Sequence, residues 1–581
     1  MKKIFIISCL LFSFRSALAQ TDNPVIKLVN PLHEKNAVAS ARQFIIGSTC
    51  KTCAVTINGK PAKVWPTGAI AYQLDLSPGD SSFVITSSND AGKTNSKTII
   101  FTYTPPKPAE PVKDAAIESI QTYPEGNLVL LPGDKIIFRV KALPSADLET
   151  INGTKLYELP VAQTKGMPGI YQGEYIVRPA DNFSAVHFTV TGIAGDGTKF
   201  SKETGYTFSV LSPLSSDVCI TKGRLAHLEY GLGDDRLGGA KVGYLDSMIP
   251  LRIIGKVGEH YKIALAPGRT AYIPEDVVTL MPKGSFAGEA LTDRWEVSGD
   301  SSADYVSIGL TAKLPYQSMQ EIDPSRIVVD IFGATNNTNW ISQLENVQEI
   351  RNVDYEQVQD GNFRVIIYLK HPQFWGHSIY YKGSQLIIRV KHKPKDLALR
   401  NLTVAVDAGH GGSNTGAGGP TGVAEKDLAL AVSLKLQKNL QNEGAKVLMT
   451  RTTEKFVDNK ERILIYRDHE PDLLVSIHLN SSSDPLRSGG TSTFYRYIGF
   501  RPLSYFIHER MLELGLKDYG NNGSFNFMLN SPTEYPNALV ETLFLSNPNE
   551  EALILDPVFQ QKIADKILLG IKDFLTAAGK D

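Results

Sequence analysis

The chain has 581 residues, and at roughly 100 to 200 residues per domain that length excludes a single core and calls for several domains. With 42% hydrophobic, 21% charged and 9% aromatic residues, the composition is that of a soluble globular protein, which excludes disorder, collagen or coiled coil as an overall description. Lys and Arg number 60 against 61 Asp and Glu, a formal charge of -1, so no global field draws the chain to nucleic acid or anionic lipid.

Residues 1–20 read MKKIFIISCLLFSFRSALAQ: two lysines, an apolar stretch, then Ala17-Leu18-Ala19, the small-x-small pattern of a signal-peptidase site. This predicts a cleaved leader over residues 1–19. The apolar run is shorter than the roughly 20 residues needed to span a bilayer, and Arg15 interrupts its end. No other apolar run reaches spanning length, so the mature chain is expected without a transmembrane span, exported to the periplasm or cell envelope.

Cys9 leaves with the leader; Cys50, Cys53 and Cys219 remain. Cys50-Lys51-Thr52-Cys53 has the spacing of a redox or metal pair. It stands among Val, Thr and Ile before the Asn58-Gly59 turn, without the following helix of a thioredoxin site. A local disulfide is the first reading, buried thiols the second and redox catalysis a distant third. Cys219 reads as core.

From residue 22 to 104, short runs such as Ala54-Val55-Thr56-Ile57 and Ser82-Phe83-Val84-Ile85-Thr86 alternate with Gly, Asn and Asp turns, the pattern of a β-sandwich. Residues 105–113, rich in proline, read as a stiff spacer. A second sandwich is expected over 114–211, and both resemble immunoglobulin-like modules. Residues 212–282, with strands such as Leu251-Arg252-Ile253-Ile254, resemble a bacterial SH3-like barrel. Residues 283–395, with Ser325-Arg326-Ile327-Val328-Val329-Asp330-Ile331, resemble the AMIN domains that localise wall amidases. Trp340 and Trp375 there are candidates to stack on sugars, although a large aromatic is more often core.

After residue 395 strands alternate with amphipathic helices, which predicts an α/β domain over 396–581 with a mostly parallel sheet flanked by helices. The fold class as a whole is therefore multidomain: all-β N-terminal modules followed by this α/β unit. Strands are expected at 403–406, 446–450, 473–477, 491–497, 525–529 and 538–544. Helices are expected at 425–443, with Leu428, Val432, Leu436 and Leu440 on one face, at 459–469 behind an Asp458 cap, at 502–514 and at 557–575.

Candidate chemistry gathers in this last unit. His410 follows a strand within Val406-Asp407-Ala408-Gly409-His410-Gly411-Gly412, Glu425 opens the first helix, and His478 ends Leu474-Val475-Ser476-Ile477. In open α/β sheets ligands bind beyond the strand carboxyl ends, so these three can converge there. Two imidazoles and one carboxylate suit a catalytic zinc ion, because they leave one coordination position open. Glu541, a carboxylate in the apolar run Ala538-Leu539-Val540-Glu541-Thr542-Leu543-Phe544, is placed to accept a proton from water activated by such an ion. Alone, either histidine reads as a satisfied core residue. Four such groups at the ends of elements in one unit read as a site.

The Gly-rich stretch 409–422 lacks the Gly-Lys-Ser/Thr ending of a phosphate loop and no helix starts at its glycines, which excludes a nucleotide site. Asp407 reads equally as a group that orients a ligand or as a loop cap. Asn480 reads equally as a donor to substrate or as a turn residue.

The blocks around His410, Glu425-Lys426, Ser476-Ile477-His478-Leu479-Asn480 and Val540-Glu541-Thr542-Leu543-Phe544-Leu545-Ser546-Asn547 resemble the zinc-dependent N-acetylmuramoyl-L-alanine amidases of the amidase-3 type, over residues 402–578. The resemblance implies one zinc ion held by His410, Glu425 and His478, with Glu541 as acid/base. It also implies cleavage of the amide between N-acetylmuramic acid and the first L-alanine of the peptidoglycan stem. Peptidoglycan is then the partner, with room for a divisome or activator protein and none for nucleic acid. The alternatives are a zinc peptidase acting within the stem and a wall-binding scaffold whose amidase domain is inactive or regulatory. The sequence departs from the family pattern at Ala408, where proline is usual, at Leu479, where alanine is usual, and at Tyr535-Pro536-Asn537-Ala538, where Met-Pro-Ala usually leads into the last glutamate; none of these removes a ligand or the acid/base. Some relatives carry a helical plug between the second histidine and the next strand. Residues 479–490 are too few for one, so the site is expected to be open without that kind of release.

Overall fold

The computed structural model describes residues 23–106, 110–150, 153–211, 217–233 and 237–580. The expected leader, residues 1–19, lies outside the described residues, as do residues 107–109 of the proline-rich spacer.

The N-terminal half is built from strands. Residues 27–103 form a three-stranded sheet (Lys27–Asn30, Arg42–Ser48, Ala69–Asp75) and a five-stranded one, which enclose Ile45, Val55, Ile57, Ile85, Ile99 and Phe101. Burial alternates along their strands, as period-2 sequences require when one face of a sheet is covered. Cys50 and Cys53 form a disulfide at a turn of this unit, and Cys219 is a buried core thiol whose pKa burial pushes up to about 12.

The next units are less separate than the sequence suggests. Leu128–Leu130 of the second unit pairs with Phe208–Val210 and also with Pro250–Val257 of the third, so one sheet runs across residue 212. A Cβ on Gly255 would stand 2.5 Å from the Val129 carbonyl oxygen, so the pairing needs glycine there. The third and fourth units in turn share one hydrophobic core, from Cys219 through Trp295 to Phe363. A strand's outer edge carries no side-chain signature of its partner, which is why the sequence leaves these junctions unread.

In the α/β unit we number the elements β1 Thr403–Ala408, α1 Glu425–Asn442, β2 Lys446–Met449, α2 Asn459–His469, β3 Leu473–Asn480, β4 Thr491–Phe494, α3 Arg501–Leu512, β5 Asp518–Asn522, β6 Asn537–Phe544, α4 Pro548–Ile554 and α5 Pro557–Ala578. The sheet order is β2-β1-β3-β6-β4-β5, parallel throughout except for the antiparallel β6–β4 pair. The central strands are buried on both faces, as a parallel sheet covered by helices demands. Leu428, Val432, Leu436 and Leu440 of α1 all enter the core.

Two expectations need correction. Residues 525–529 are not a strand: Phe525 and Phe527 pack edge-on against Phe494, and Met528–Asn530 is a 3-10 turn. The sheet edge is instead β5, whose Asp-Tyr-Gly-Asn-Asn sequence carries no β signal and owes its conformation to pairing with β4. Trp375 is no sugar platform; it is 2% exposed and packs on Phe574 of α5, joining the fourth unit to the α/β core, whereas Trp340 is exposed.

Candidate metal centre and active site

The site lies at the carboxyl ends of β1 and β3 and at the start of α1. Val404↔Leu473 and Ala408↔Ile477 fix the register of β1 against β3, so His410, two residues beyond β1, comes level with His478. His410 adopts a left-handed backbone conformation (φ 58°), and Gly409 beside it leaves no Cβ to strike the His478 ring, which an added Cβ would meet at 2.5 Å. The two imidazoles stand 4.9 Å apart in an edge-on arrangement.

Glu425, the first residue of α1, is buried and closes the group. Its Oε1 is 3.1 Å from His410 Nε2 and 2.9 Å from His478 Nδ1, and it accepts a hydrogen bond from Leu479 N at 2.9 Å. Oε2 accepts from Ala417 N at 2.7 Å. Gly416 leaves room for this carboxylate, since a Cβ there would lie 2.4 Å from Oε2. Burial acts to raise the Glu425 carboxyl, but the hydrogen bonds and charges of His410 and His478 outweigh it and hold the group well below the ordinary carboxylate range. Burial likewise acts to lower the His478 imidazole, and Glu425, with Glu541 and Asp407 further off, turns the net shift upward.

One donor atom from each of His410, Glu425 and His478 lies within 4.8 Å of the others, the only such trio among the described residues. The donor chemistry fits a zinc ion. His410 Nδ1 faces Asn414 Oδ1 at 2.9 Å, so this nitrogen carries the proton and Nε2 keeps its lone pair for a cation. Two nitrogens and an oxygen leave room for a water or substrate oxygen as the fourth ligand.

Glu541 lies on β6 directly across from His478 in the sheet register, 9% exposed, and with the three donors it lines a cavity of about 850 Å³. Residues 479–490 carry no helix. Leu479 packs into the core beneath the cavity, and its backbone serves Glu425.

Asp407 does not bond to any of the three donors among the described residues. Fully buried, it accepts from Ser476 Oγ at 2.6 Å, from Thr450 Oγ1 and from Arg462 Nη1 at 2.7 Å; these partners and Arg462 above all overcome burial and hold its pKa low. Asn480 lines the cavity, and its Oδ1 accepts from Ser481 N at 2.8 Å.

Sequence reasoning passed over the two arginines beneath the loop. Arg462 of α2, 2% exposed, donates to the carbonyls of Ala408 and His410 at 2.8 and 2.5 Å; Arg451, 3% exposed, donates to those of Ala408 and Gly409 at 3.1 and 2.8 Å. They clamp the backbone that presents His410. A fully buried arginine inside a helix is the signal, but burial is not written in one sequence. Replacing Arg462 by methionine leaves Asp407 buried without its cation. The expected loss is about 3 kcal/mol of stability, read as a lower urea midpoint of the full chain; an unchanged midpoint contradicts the clamp.

Residues 404–573 match the family described as N-acetylmuramoyl-L-alanine amidase, and residues 294–391 match the AMIN domain. A germination-specific N-acetylmuramoyl-L-alanine amidase of Bacillus subtilis is 32% identical over 205 residues, which is 32% of this chain and 85% of that protein. The chain belongs to the N-acetylmuramoyl-L-alanine amidase family. The amidase is also 31% identical over 181 residues to a Staphylococcus aureus protein described as "Probable cell wall amidase LytH", covering 31% of this chain and 60% of that one, so it spans three fifths of that relative's length. Among solved structures, the catalytic domain of the amidase CwlV from Bacillus (Paenibacillus) polymyxa shares 33% identity, covering 30% of this chain and 98% of that one at a TM-score of 0.29. By the family match over residues 404–573 and the Bacillus subtilis relative, the chain is a peptidoglycan amidase whose catalytic unit lies in its C-terminal region.

Proposed function

We propose that the amidase hydrolyses the amide between the lactyl group of N-acetylmuramic acid and L-alanine with His410, Glu425 and His478 holding one zinc ion and Glu541 as the proton carrier. The observation that carries this reading is the convergence of those three donors at one point, with Glu541 in register across β6. When bound, zinc supplies a Lewis acid that polarises the amide carbonyl and makes water more acidic. Glu541 takes the proton of the attacking water and delivers it to the alanine nitrogen as the amine leaves, so one group serves as base and then as acid. Its buried setting between β3 and β4, at the edge of the cavity, keeps it close to the reacting centre while the cavity admits substrate. Asn414 orients His410, and Arg451, Arg462 and Asp407 hold the loop that carries it.

The remaining units are modules that bring this site to the wall: immunoglobulin-like sandwiches at 22–104 and 114–211, an SH3-like barrel at 212–282 and the AMIN domain within 283–395. The leader-like residues 1–19 support export to the periplasm or envelope, and no helix among the described residues is long and apolar enough to cross a membrane. Mass spectrometry of digested peptidoglycan tests the bond chosen. The expected products are stem peptides with a free L-alanine amine and muramic acid with a free lactyl carboxylate; cuts within the stem instead would indicate a peptidase.

A further inference from the structure

The cavity over the four catalytic groups has a wall that the α/β unit does not supply. Leu237 and Lys241, from the third β unit, line it opposite His410, Glu425 and Glu541. Lys241 opens the strand Lys241–Tyr244, and the backbone around it is pinned to the catalytic unit on both sides. Asn526 Nδ2 donates to the carbonyls of Leu237 and Gly239 at 3.1 and 2.9 Å, and Lys241 N donates to Asn526 Oδ1 at 3.3 Å. Arg496 donates from Nη2 to the Lys241 carbonyl and from Nη1 to Asn526 Oδ1 at 2.9 Å. Asn526 is itself followed by Phe527, Met528 and Leu529, which line the same cavity. The strand is therefore a fixed part of the groove, in place before substrate arrives.

The charge on this wall is unusual. Lys241 is 8% exposed, and its Nζ makes no hydrogen bond among the described residues. Burial pulls its pKa down, Arg496 adds to that, and Glu229 opposes it without closing to an ion pair. Arg462, the other side chain with a fixed positive charge lining the cavity, is already committed to Asp407 and three carbonyls. The floor carries Glu541 and the donor trio, where the charge of Glu425 is offset by the ion it would hold. The ion proposed at the donor trio lies at the scissile amide, so for a negative group further along the substrate Lys241 is the lining cation not already committed to hydrogen bonds among the described residues.

We propose that Lys241 is a substrate-binding and specificity-determining residue of the amidase reaction, taking a carboxylate of an acidic stem peptide one or two residues beyond the scissile amide. The third β unit then completes the substrate site and is more than a spacer. This rests on the amidase reading above.

The test is calorimetric binding to the full chain carrying Glu541→Ala, which blocks turnover. The probes are N-acetylmuramoyl-L-alanyl-D-glutamate and the same compound with both glutamate carboxylates converted to amides. The free acid is expected to bind about tenfold more tightly than the diamide, the scale of one charge-assisted hydrogen bond in a partly desolvated site. Adding Lys241→Met brings the two affinities within about twofold, and Lys241→Arg keeps the preference. Equal binding of acid and diamide with Lys241 present, binding of neither, or an undiminished preference in Lys241→Met overturns the proposal. The first two outcomes need no folded substitution at position 241. Failure of the reaction itself reads elsewhere, as an absence of amide cleavage by the unaltered chain.

Discussion

Replacing Glu541 by alanine lowers turnover of the muramoyl–L-alanine amide by about 10³-fold while leaving zinc content and thermal midpoint near those of the unaltered chain. The carboxylate sits on β6 beside His478, so it is close to the reacting centre without belonging to the donor trio. In the proposed mechanism its loss removes both proton transfers, from water and to the departing nitrogen. It creates little strain, because the shorter side chain faces a cavity already present. A Glu541→Gln chain keeps the shape and loses the base, and it is expected to fall by a similar factor. Sacculi digested by Glu541→Ala as fast as by the unaltered chain would remove the assigned role.

The second large effect concerns the donors. His478→Ala is expected to weaken zinc binding by at least about 100-fold and to abolish hydrolysis, measured as metal content by mass spectrometry after dialysis against a weak chelator. With His478 gone only one imidazole and one carboxylate remain, and Glu425 loses a partner that holds it ionised in a buried position. Chelation of the unaltered chain should likewise end hydrolysis, and added zinc should restore it. Full zinc occupancy in His478→Ala would place the ion elsewhere.

These two experiments separate residues that act on different things. In the proposed mechanism Glu541 moves protons and leaves metal alone and His478 governs metal, whereas Arg462 acts through the backbone of the loop that carries His410. A stability loss in Arg462→Met with modest change in turnover per folded molecule would fit that third role.

The candidate site was legible because its chemistry is concentrated in residue types rare in apolar strands. His410 and His478 follow runs of Val, Ala and Ile, and Glu541 interrupts one. Such residues at strand ends announce a crevice in an open α/β sheet. The same logic failed at residues 525–529, where Phe525, Phe527 and Leu529 alternate as a strand would, yet the alternation serves packing on Phe494 and the cavity wall. Asp407, which residue type leaves equally an orienting group or a loop cap, bonds to Arg462, Ser476 and Thr450.

By itself the sequence determined the alternation of strand and helix after residue 395 and the faces those elements bury, and it marked out the four candidate site residues, because side-chain period and residue type are local properties. Only the tertiary structure decided that one sheet crosses from the second unit into the third, that Trp375 is buried between units, and that Lys241 forms a wall of the groove. These depend on backbone edges and on packing between segments hundreds of residues apart. Neither leaves a periodic trace in the chain.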